Sequence, residues 1–396
     1  MTLREILAVV ETRGVKLRLD GDEVVFRAQP GVLTTELRSL LVQRKAELIE
    51  FLRAGAAPAA QRIPRSTEPP VPSPGQARLW FLDRLSPGIP LYNVHLALRL
   101  KGALDVPALR ASLTQVFARH PMLRAAFPER DGVPLIVIGD AAEWVLPEVD
   151  LRDRGDAREV ALGQLSREHA AAPYDLARGP LLRTLLVALS DQEHVLLVGQ
   201  HHIVTDATSL GIFVRDLFLA YRGLALHEPA RIVEPEVRYT DFARWQKEWL
   251  RSDAAAKAGA FWKKRLAGVP TLELPAGHAA ATNEGDALSF SLPFQLTESL
   301  KELGRKQGCT FFTTLLTGWA ALLHRYSQQT DFAIGTVSAG RDLSGLSEVI
   351  GFFVNTLPLR CDFEGDPDVA TALGRMRGVV QEALEHQELP FDRIVS

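Results

Sequence analysis

The sequence predicts an α/β protein in which a small α-β-β-α-α unit precedes a larger region of mixed helices and strands. Three observations carry that reading. The apolar pattern switches repeatedly between helical and strand periods. A proline-rich stretch interrupts it over residues 54–74, and 396 residues exceed what one ordinary core organises, so two or three folding units are expected.

The first unit is expected over residues 1–53. Leu3, Ile6, Leu7 and Val10 recur at helical spacing, and Gly14 is placed to end that helix. Val15, Leu17 and Leu19 then alternate with Lys16 and Arg18 as a strand. Asp20-Gly21-Asp22 marks a turn before a second strand at Val24, Val25 and Phe26. Pro30-Gly31 breaks the sheet, and Leu33, Leu37, Leu40, Leu41, Leu48, Ile49 and Leu52 form a helical stripe. Residues 54–74 hold several prolines and few large apolar groups, the composition of an extended, partly flexible linker.

No solenoid-type repeat is present. In the larger region, Val106–Arg119 reads as a helix, Pro134–Ile138 and His194–Val198 read as strands, and 207–222, 295–307 and 312–326 read as helices. Trp245, Trp249 and Trp262 flank an alanine-rich stretch at 254–260, a crossing point between two lobes.

Composition narrows the function. A net charge of −3 argues against a nucleic-acid footprint. The hydrophobic fraction of 46% fits a soluble globular protein, and no apolar run approaches the roughly 18 residues of a membrane helix. The N-terminus, Met1-Thr2-Leu3-Arg4-Glu5, lacks a signal peptide's layout, so a cytoplasmic protein without a membrane partner is expected. Cys309 and Cys361, the only cysteines, cannot build a disulfide framework or a closed zinc site. Beside Phe311 and Phe312, Cys309 reads as a small buried hydrophobe rather than a nucleophile.

The feature richest in chemistry is Gln200-His201-His202-Ile203-Val204-Thr205-Asp206. Strand alternation puts Val195, Leu197, Gly199 and His201 on one face and Leu196, Val198, Gln200 and His202 on the other. The two imidazoles therefore cannot share one job. Locally, Asp206 reads equally well as the N-cap of the helix starting at Ala207, and either histidine alone reads as a satisfied interior ring. His202 and Asp206 have a spacing that metal ligands can adopt, but no third ligand stands at suitable spacing.

His201-His202-x-x-x-Asp206 resembles the signature of the condensation domains of nonribosomal peptide synthetases, which are similar to chloramphenicol acetyltransferase. Further signatures follow in the family's order. They are Ser73-Pro-Gly-Gln76-Ala-Arg78-Leu79-Trp80, Arg119-His120-Pro-Met-Leu123-Arg124, Tyr239-Thr-Asp241-Phe242-Ala243-Arg-Trp245, Ile350-Gly351-Phe-Phe353-Val354-Asn355-Thr356 and His386-Gln387-Glu-Leu-Pro390-Phe391. The resemblance spans about residues 73–396 and implies two chloramphenicol acetyltransferase-like lobes, at 75–250 and 251–396. Two departures stand out. Ala207 replaces the family's usual glycine after the aspartate, which would narrow a substrate tunnel by one methyl. The chain also stops just after Pro390-Phe391-Asp392, where family members continue, so the second lobe is expected to be incomplete.

Residues 1–53 resemble TubC-type docking domains, which capture the C-terminal tail of an upstream synthetase subunit on a hairpin edge. The resemblance implies that Lys16, Arg18 and Arg27 meet an acidic tail, although charge alternation alone would equally mark a solvated hairpin face.

The implied reaction joins a carrier-bound acyl or peptidyl thioester to a carrier-bound aminoacyl acceptor through an amide. The donor and acceptor carrier proteins hold the substrates on phosphopantetheine, with a downstream adenylation domain and no cofactor on this chain. An α-amino group has a pKa near 7.7–8.0, so an appreciable fraction is neutral near pH 7, and the thioester is already activated. Positioning, at about 7–11 kcal/mol, should therefore outweigh a positioned base at about 10²–10⁴-fold. By resemblance, His202 meets the amine, His201 supports local structure, and Asp206 holds the loop through Arg341. Asn355 is a candidate for the tunnel wall. Ring-forming relatives replace the histidines, which this chain keeps; epimerising relatives follow a carrier domain. Ester formation by the same site, an epimerising relative and an inactive docking scaffold are the competing readings.

Overall fold

The structure, a computed structural model, describes residues 16–20, 23–27, 41, 44–45, 63–229, 232–275 and 287–395. The chain divides into two compact units, Met1–Arg62 with Asp342–Ser344, and Ile63–Arg341 with Gly345–Ser396.

In the first unit, β1 (Lys16–Asp20) and β2 (Glu23–Arg27) form an antiparallel pair with Lys16 opposite Arg27 and Leu17 opposite Phe26. The register continues with Arg18 opposite Val25, Leu19 opposite Val24 and Asp20 opposite Glu23. The helices expected on either side of the hairpin, and the side chains of Lys16, Arg18 and Arg27, lie outside the described residues.

The second unit begins with α1 (Pro74–Leu85), β3 (Asn93–Lys101) and α2 (Val106–Arg119). Four short strands follow, β4 (Ala125–Ala126), β5 (Glu129–Arg130), β6 (Val133–Pro134) and β7 (Val137–Ile138), then β8 (Glu148–Asp150) and α3 (Arg158–Ala171). Next come β9 (Leu182–Ser190), β10 (Glu193–His201), α4 (Ala207–Ala225), α5 (Tyr239–Trp249) and α6 (Asp253–Arg265). The remainder is α7 (Phe294–Lys306), α8 (Phe311–Ser327), β11 (Asp331–Ser338), β12 (Asn355–Asp362), α9 (Val369–Glu385) and α10 (Phe391–Val395).

Strands β3, β10, β9 and β8 form one sheet in that order, antiparallel except for the β8–β9 pair. Strand β10 is buried on both faces, which its unbroken apolar run Val195–Val198 requires. On one side, Leu196 and Val198 pack with Leu109, Leu113, Ile212 and Phe213 of α2 and α4. On the other, Val195 and Leu197 pack with Leu151 and Leu162. Helix α2 starts where Asp105 accepts from the Ala108 amide at 2.9 Å, and its buried stripe runs Leu109, Leu113, Val116 and Phe117.

A second core surrounds the antiparallel pair β11–β12, where Phe332, Leu357 and Leu359 meet Trp262 of α6, Leu323 of α8 and Met376 of α9. Cys361 lies in this core as a free thiol, and burial pushes it up to about 12. Helices α5 and α6 run between the two cores. Phe242 lies 4.8 Å from Phe353, while Trp249 and Trp262 reach the second core.

The expected strand at 134–138 is two fragments instead. Val133–Pro134 closes a short hairpin on Glu129–Arg130, and Val137–Ile138 pairs with Ala125–Ala126. Pro134 has no amide hydrogen to continue a ladder, and the chain changes partner beyond it. The strand expected at 194–198 runs over the full Glu193–His201. The described part of the stretch read as a linker is fastened down. The Ser66 amide donates to Asp241 at 3.0 Å, Arg65 donates to the Glu236 carbonyl at 2.8 Å, and Arg244 meets Glu68 and the Pro69 carbonyl.

Candidate active site

The site forms where β10 hands over to α4. Strand pairing ends at His201, whose amide donates to the Leu181 carbonyl at 3.0 Å, and a short 3-10 turn occupies His202–Val204. Ile203, Val204, Thr205 and Asp206 are all buried, so the turn is held by packing on every side except at the second histidine.

The two imidazoles differ in role as expected, but by the end of the strand rather than by alternation along it, since His201 closes β10 and His202 opens the turn. His201 is buried, accepts the Ile203 amide at Nδ1 (3.1 Å) and lies edge-on to Tyr92 and Tyr174. Burial, with His202 beside it, pulls its pKa down to about 4, so it is a neutral ring protonated at Nε2. His202 is half-buried, and its Nδ1 lies 2.7 Å from the Thr205 carbonyl. A carbonyl only accepts, so Nδ1 carries the hydrogen and Nε2 presents a lone pair. No protein group among the described residues hydrogen-bonds that Nε2. The Phe352 ring stands edge-on to the imidazole at 5.1 Å.

Asp206 is 1% exposed and sits behind this turn. It is the N-cap of α4, accepting from the Ser209 amide at 2.7 Å, and it also accepts from the Phe353 amide at 3.0 Å and from Arg341 at 3.1 Å. The local cap and the long-range ion pair thus coexist in one carboxylate. Arg341 continues the network to Ser209 Oγ (2.7 Å) and to the Leu346 and Val349 carbonyls (2.7 and 2.8 Å), with its guanidinium 4.1 Å from the Phe353 ring centre.

Ser209 and Tyr239 complete the clamp. Ser209 Oγ donates to the Gly351 carbonyl at 2.8 Å and accepts the Gly351 amide at 3.0 Å. Tyr239 donates to the Phe352 carbonyl at 2.7 Å, and Ser73 Oγ, the N-cap of α1, lies 2.8 Å from the same phenol. Complete burial raises the Tyr239 phenol well above its usual range. A Cβ on Gly351 would stand 1.9 Å from the Tyr239 ring, so only glycine fits there. Gln76, fully buried, donates to the Ile203 carbonyl at 2.9 Å and ties α1 to the histidine turn. The backbone of residues 351–353 is therefore held on both sides, with the Phe352 ring beside His202.

Ala207 is exposed at the first position of α4, where helical backbone makes no demand for glycine. Asn355 uses its whole side chain on backbone. Its amide nitrogen donates to the Gln387 and Leu389 carbonyls, each at 2.8 Å, and its oxygen accepts from Phe391 at 2.9 Å. It also lines a cavity with Gly75, Arg78, Phe352 and Phe391. Sequence reasoning assigned no role to Ser209 or Phe352. Ser209 follows Asp206 by one helical turn, which was a visible local signal; its partner Gly351, 142 residues away, was not.

The family model of the condensation domain matches residues 70–396. The chain belongs to the condensation-domain family. These are the amide-forming acyltransferases of nonribosomal peptide synthetases. A second match, to the TubC N-terminal docking domain, covers residues 3–54. A linear gramicidin synthase polypeptide of Brevibacillus parabrevis is 41% identical over 338 residues, 84% of this chain but 4% of that protein. Phosphinothricin tripeptide synthetase PhsC of Streptomyces viridochromogenes is 39% identical over 372 residues, 92% of this chain and 34% of that protein. The chain thus spans a minor part of these curated relatives. Among solved structures, the X-domain from teicoplanin biosynthesis is 30% identical with a TM-score of 0.74, covering 85% of this chain and 75% of that one. The first condensation domain of the calcium-dependent antibiotic synthetase shares the fold at a TM-score of 0.72 and 22% identity, over 82% of this chain and 77% of that one.

Proposed function

We propose that this chain forms an amide bond between a carrier-bound acyl or peptidyl thioester and a carrier-bound aminoacyl acceptor. The observation that carries the reading is the His202 imidazole. Its Nδ1–H is fixed on the Thr205 carbonyl, its Nε2 is free of protein partners among the described residues, and the ring is half-buried. The neutral amine donates an N–H to Nε2. The imidazole orients the nitrogen's lone pair toward the thioester carbon, accepts the proton released as the C–N bond forms, and relays it to the thiolate that leaves as the C–S bond breaks. Holding two tethered substrates in line supplies the larger share of the acceleration.

Asp206 and Arg341 are positioning residues in this scheme. They meet no substrate; they fix Phe353, and hence Phe352, against the reacting imidazole. His201 is a structural ring. In the same reading, residues 1–53 dock an upstream subunit's acidic tail on the basic face of β1–β2, 54–74 link, and 75–250 and 251–396 are the two lobes. Substrates arrive on phosphopantetheine from donor and acceptor carrier proteins. A downstream adenylation domain supplies the acceptor amino acid, and the chain binds no cofactor, nucleic acid or membrane. The setting is cytoplasmic; no helix among the described residues is long and apolar enough to cross a membrane.

A single-turnover assay of the natural full-length polypeptide, with carrier-bound donor and acceptor, tests the function. Amide product supports it. Binding of an acidic tail peptide without any product would instead make the chain a docking scaffold.

A further inference from the structure

Beside Phe352, whose ring is edge-on to His202, lies a cavity of about 80 Å³ whose lining includes Gly75, Arg78, Phe352, Asn355, Phe391 and Asp392. Helix α1 forms one wall. Gly75 and Arg78 are one turn apart and share the face toward this cavity, whereas Gln76 points the other way, to the Ile203 carbonyl. A Cβ on Gly75 would stand 2.8 Å from the Phe352 ring, so the ring rests directly on the helix backbone. Phe352 therefore borders both the cavity and the imidazole.

Arg78 is the unusual group here. It is exposed, and it makes no ion pair or hydrogen bond among the described residues; its one recorded contact is with the Phe391 ring, 5.5 Å from the guanidinium carbon. Asp392 lines the same cavity without pairing to it. The other guanidinium near the site, Arg341, is committed to Asp206, Ser209 and two carbonyls. A free guanidinium held over aromatic walls at the edge of a cavity is a site for an anion with oxygens in a fork arrangement, above all a phosphate.

We propose that Arg78 binds the phosphate of a phosphopantetheine arm and so sets how far the arm's thioester reaches past Phe352 toward His202. This rests on the amide-forming function proposed above. The arm carries its charge only at the phosphate and its chemistry only at the sulfur, so one cation at the entrance fixes the register of the whole arm. Arg78 is a binding and positioning residue in this scheme, and it takes no part in the bond changes.

The test compares two substrate forms with identical reacting ends, a phosphopantetheine thioester and the N-acetylcysteamine thioester that lacks the phosphate. Wild type, Arg78→Ala, Arg78→Glu and Arg78→Lys are assayed in the natural full-length polypeptide. Arg78 is exposed, so folding should be unaffected. With the phosphate-bearing substrate, Arg78→Ala is expected to lower kcat/KM on the order of tenfold, the scale of one charge-assisted contact, with kcat falling as the thioester loses its register. Arg78→Glu should lower it further, Arg78→Lys should restore part of it, and added salt should narrow the difference. The kcat/KM for the N-acetylcysteamine thioester should not move. Placing the phosphate on the donor alone and then on the acceptor alone identifies which arm Arg78 holds. Equal effects on both substrate forms, or none on either, overturn the proposal. Failure of the wild-type polypeptide to form amide from either substrate form would instead overturn the function, whatever Arg78 does.

Discussion

Replacing Asp206 with alanine removes three things at once. The Ser209 amide loses its cap, the Phe353 amide loses its acceptor, and Arg341 loses its counter-charge. The last dominates. The side chains of Asp206 and Arg341 are 1% and 9% exposed, so the guanidinium would remain buried and uncompensated. Breaking a buried pair from one side costs about 3–5 kcal/mol, whereas loss of an N-cap alone costs about 1 kcal/mol. At about 2–4 °C per kcal/mol for a unit of this size, the midpoint should fall on the order of 10 °C. Condensation should fall with it, because Phe352 is no longer fixed against His202. The double replacement Asp206→Ala, Arg341→Ala should cost less than the two single changes summed, by about 1–3 kcal/mol, since it removes the stranded charge. Thermal or urea unfolding followed in parallel with single-turnover rates reads both effects. Lost activity at wild-type melting would refute the positioning role and assign Asp206 direct chemistry.

Two further expectations concern the first histidine and the N-terminal hairpin. His201 has its pKa lowered to about 4 in the fold, against about 6.5 unfolded, so its stabilising contribution is complete above pH 6.5 and is lost as pH falls toward 4. His201→Asn places an oxygen where Nδ1 accepts the Ile203 amide but cannot titrate. Unfolding free energy measured from pH 7 to 4 should then fall less steeply, by up to about 1.4 kcal/mol per pH unit, and an unchanged slope would contradict the burial of that ring. For docking, calorimetric titration with acidic tail peptides should show binding that charge reversal at Lys16 and Arg18 abolishes; indifference to that reversal would count against a basic docking face.

Much of the fold was legible because local rules agree with tertiary ones. Helix α2 carries its own start signal in Asp105 and its own stripe, and β10 carries a buried run that admits few alternatives. The 134–138 segment misled because Pro134 permits extended backbone but cannot donate to a ladder, and the apolar pattern does not register that loss. Strand alternation anticipated that His201 and His202 would part company, although the strand in fact ends at His201 and His202 opens a 3-10 turn. The clamp behind them did not. Asp206 and Arg341 are 135 residues apart, and Ser209 and Gly351 are 142 apart, so no period or spacing announces either pair. Asn355 shows the converse. Its place in a family motif drew attention to the cavity wall, and only the structure reveals that its amide is used to hold the 387–391 segment.

The most direct measurement is the single-turnover rate of His202→Ala with donor and acceptor on their carrier proteins, in the natural full-length polypeptide. A ring that is half-buried and makes one backbone hydrogen bond should cost little stability when removed, about 1 kcal/mol. Amide formation should nevertheless drop by about 10²–10⁴-fold. A folded variant that still makes the amide at the wild-type rate would show that the second imidazole has no part in the reaction.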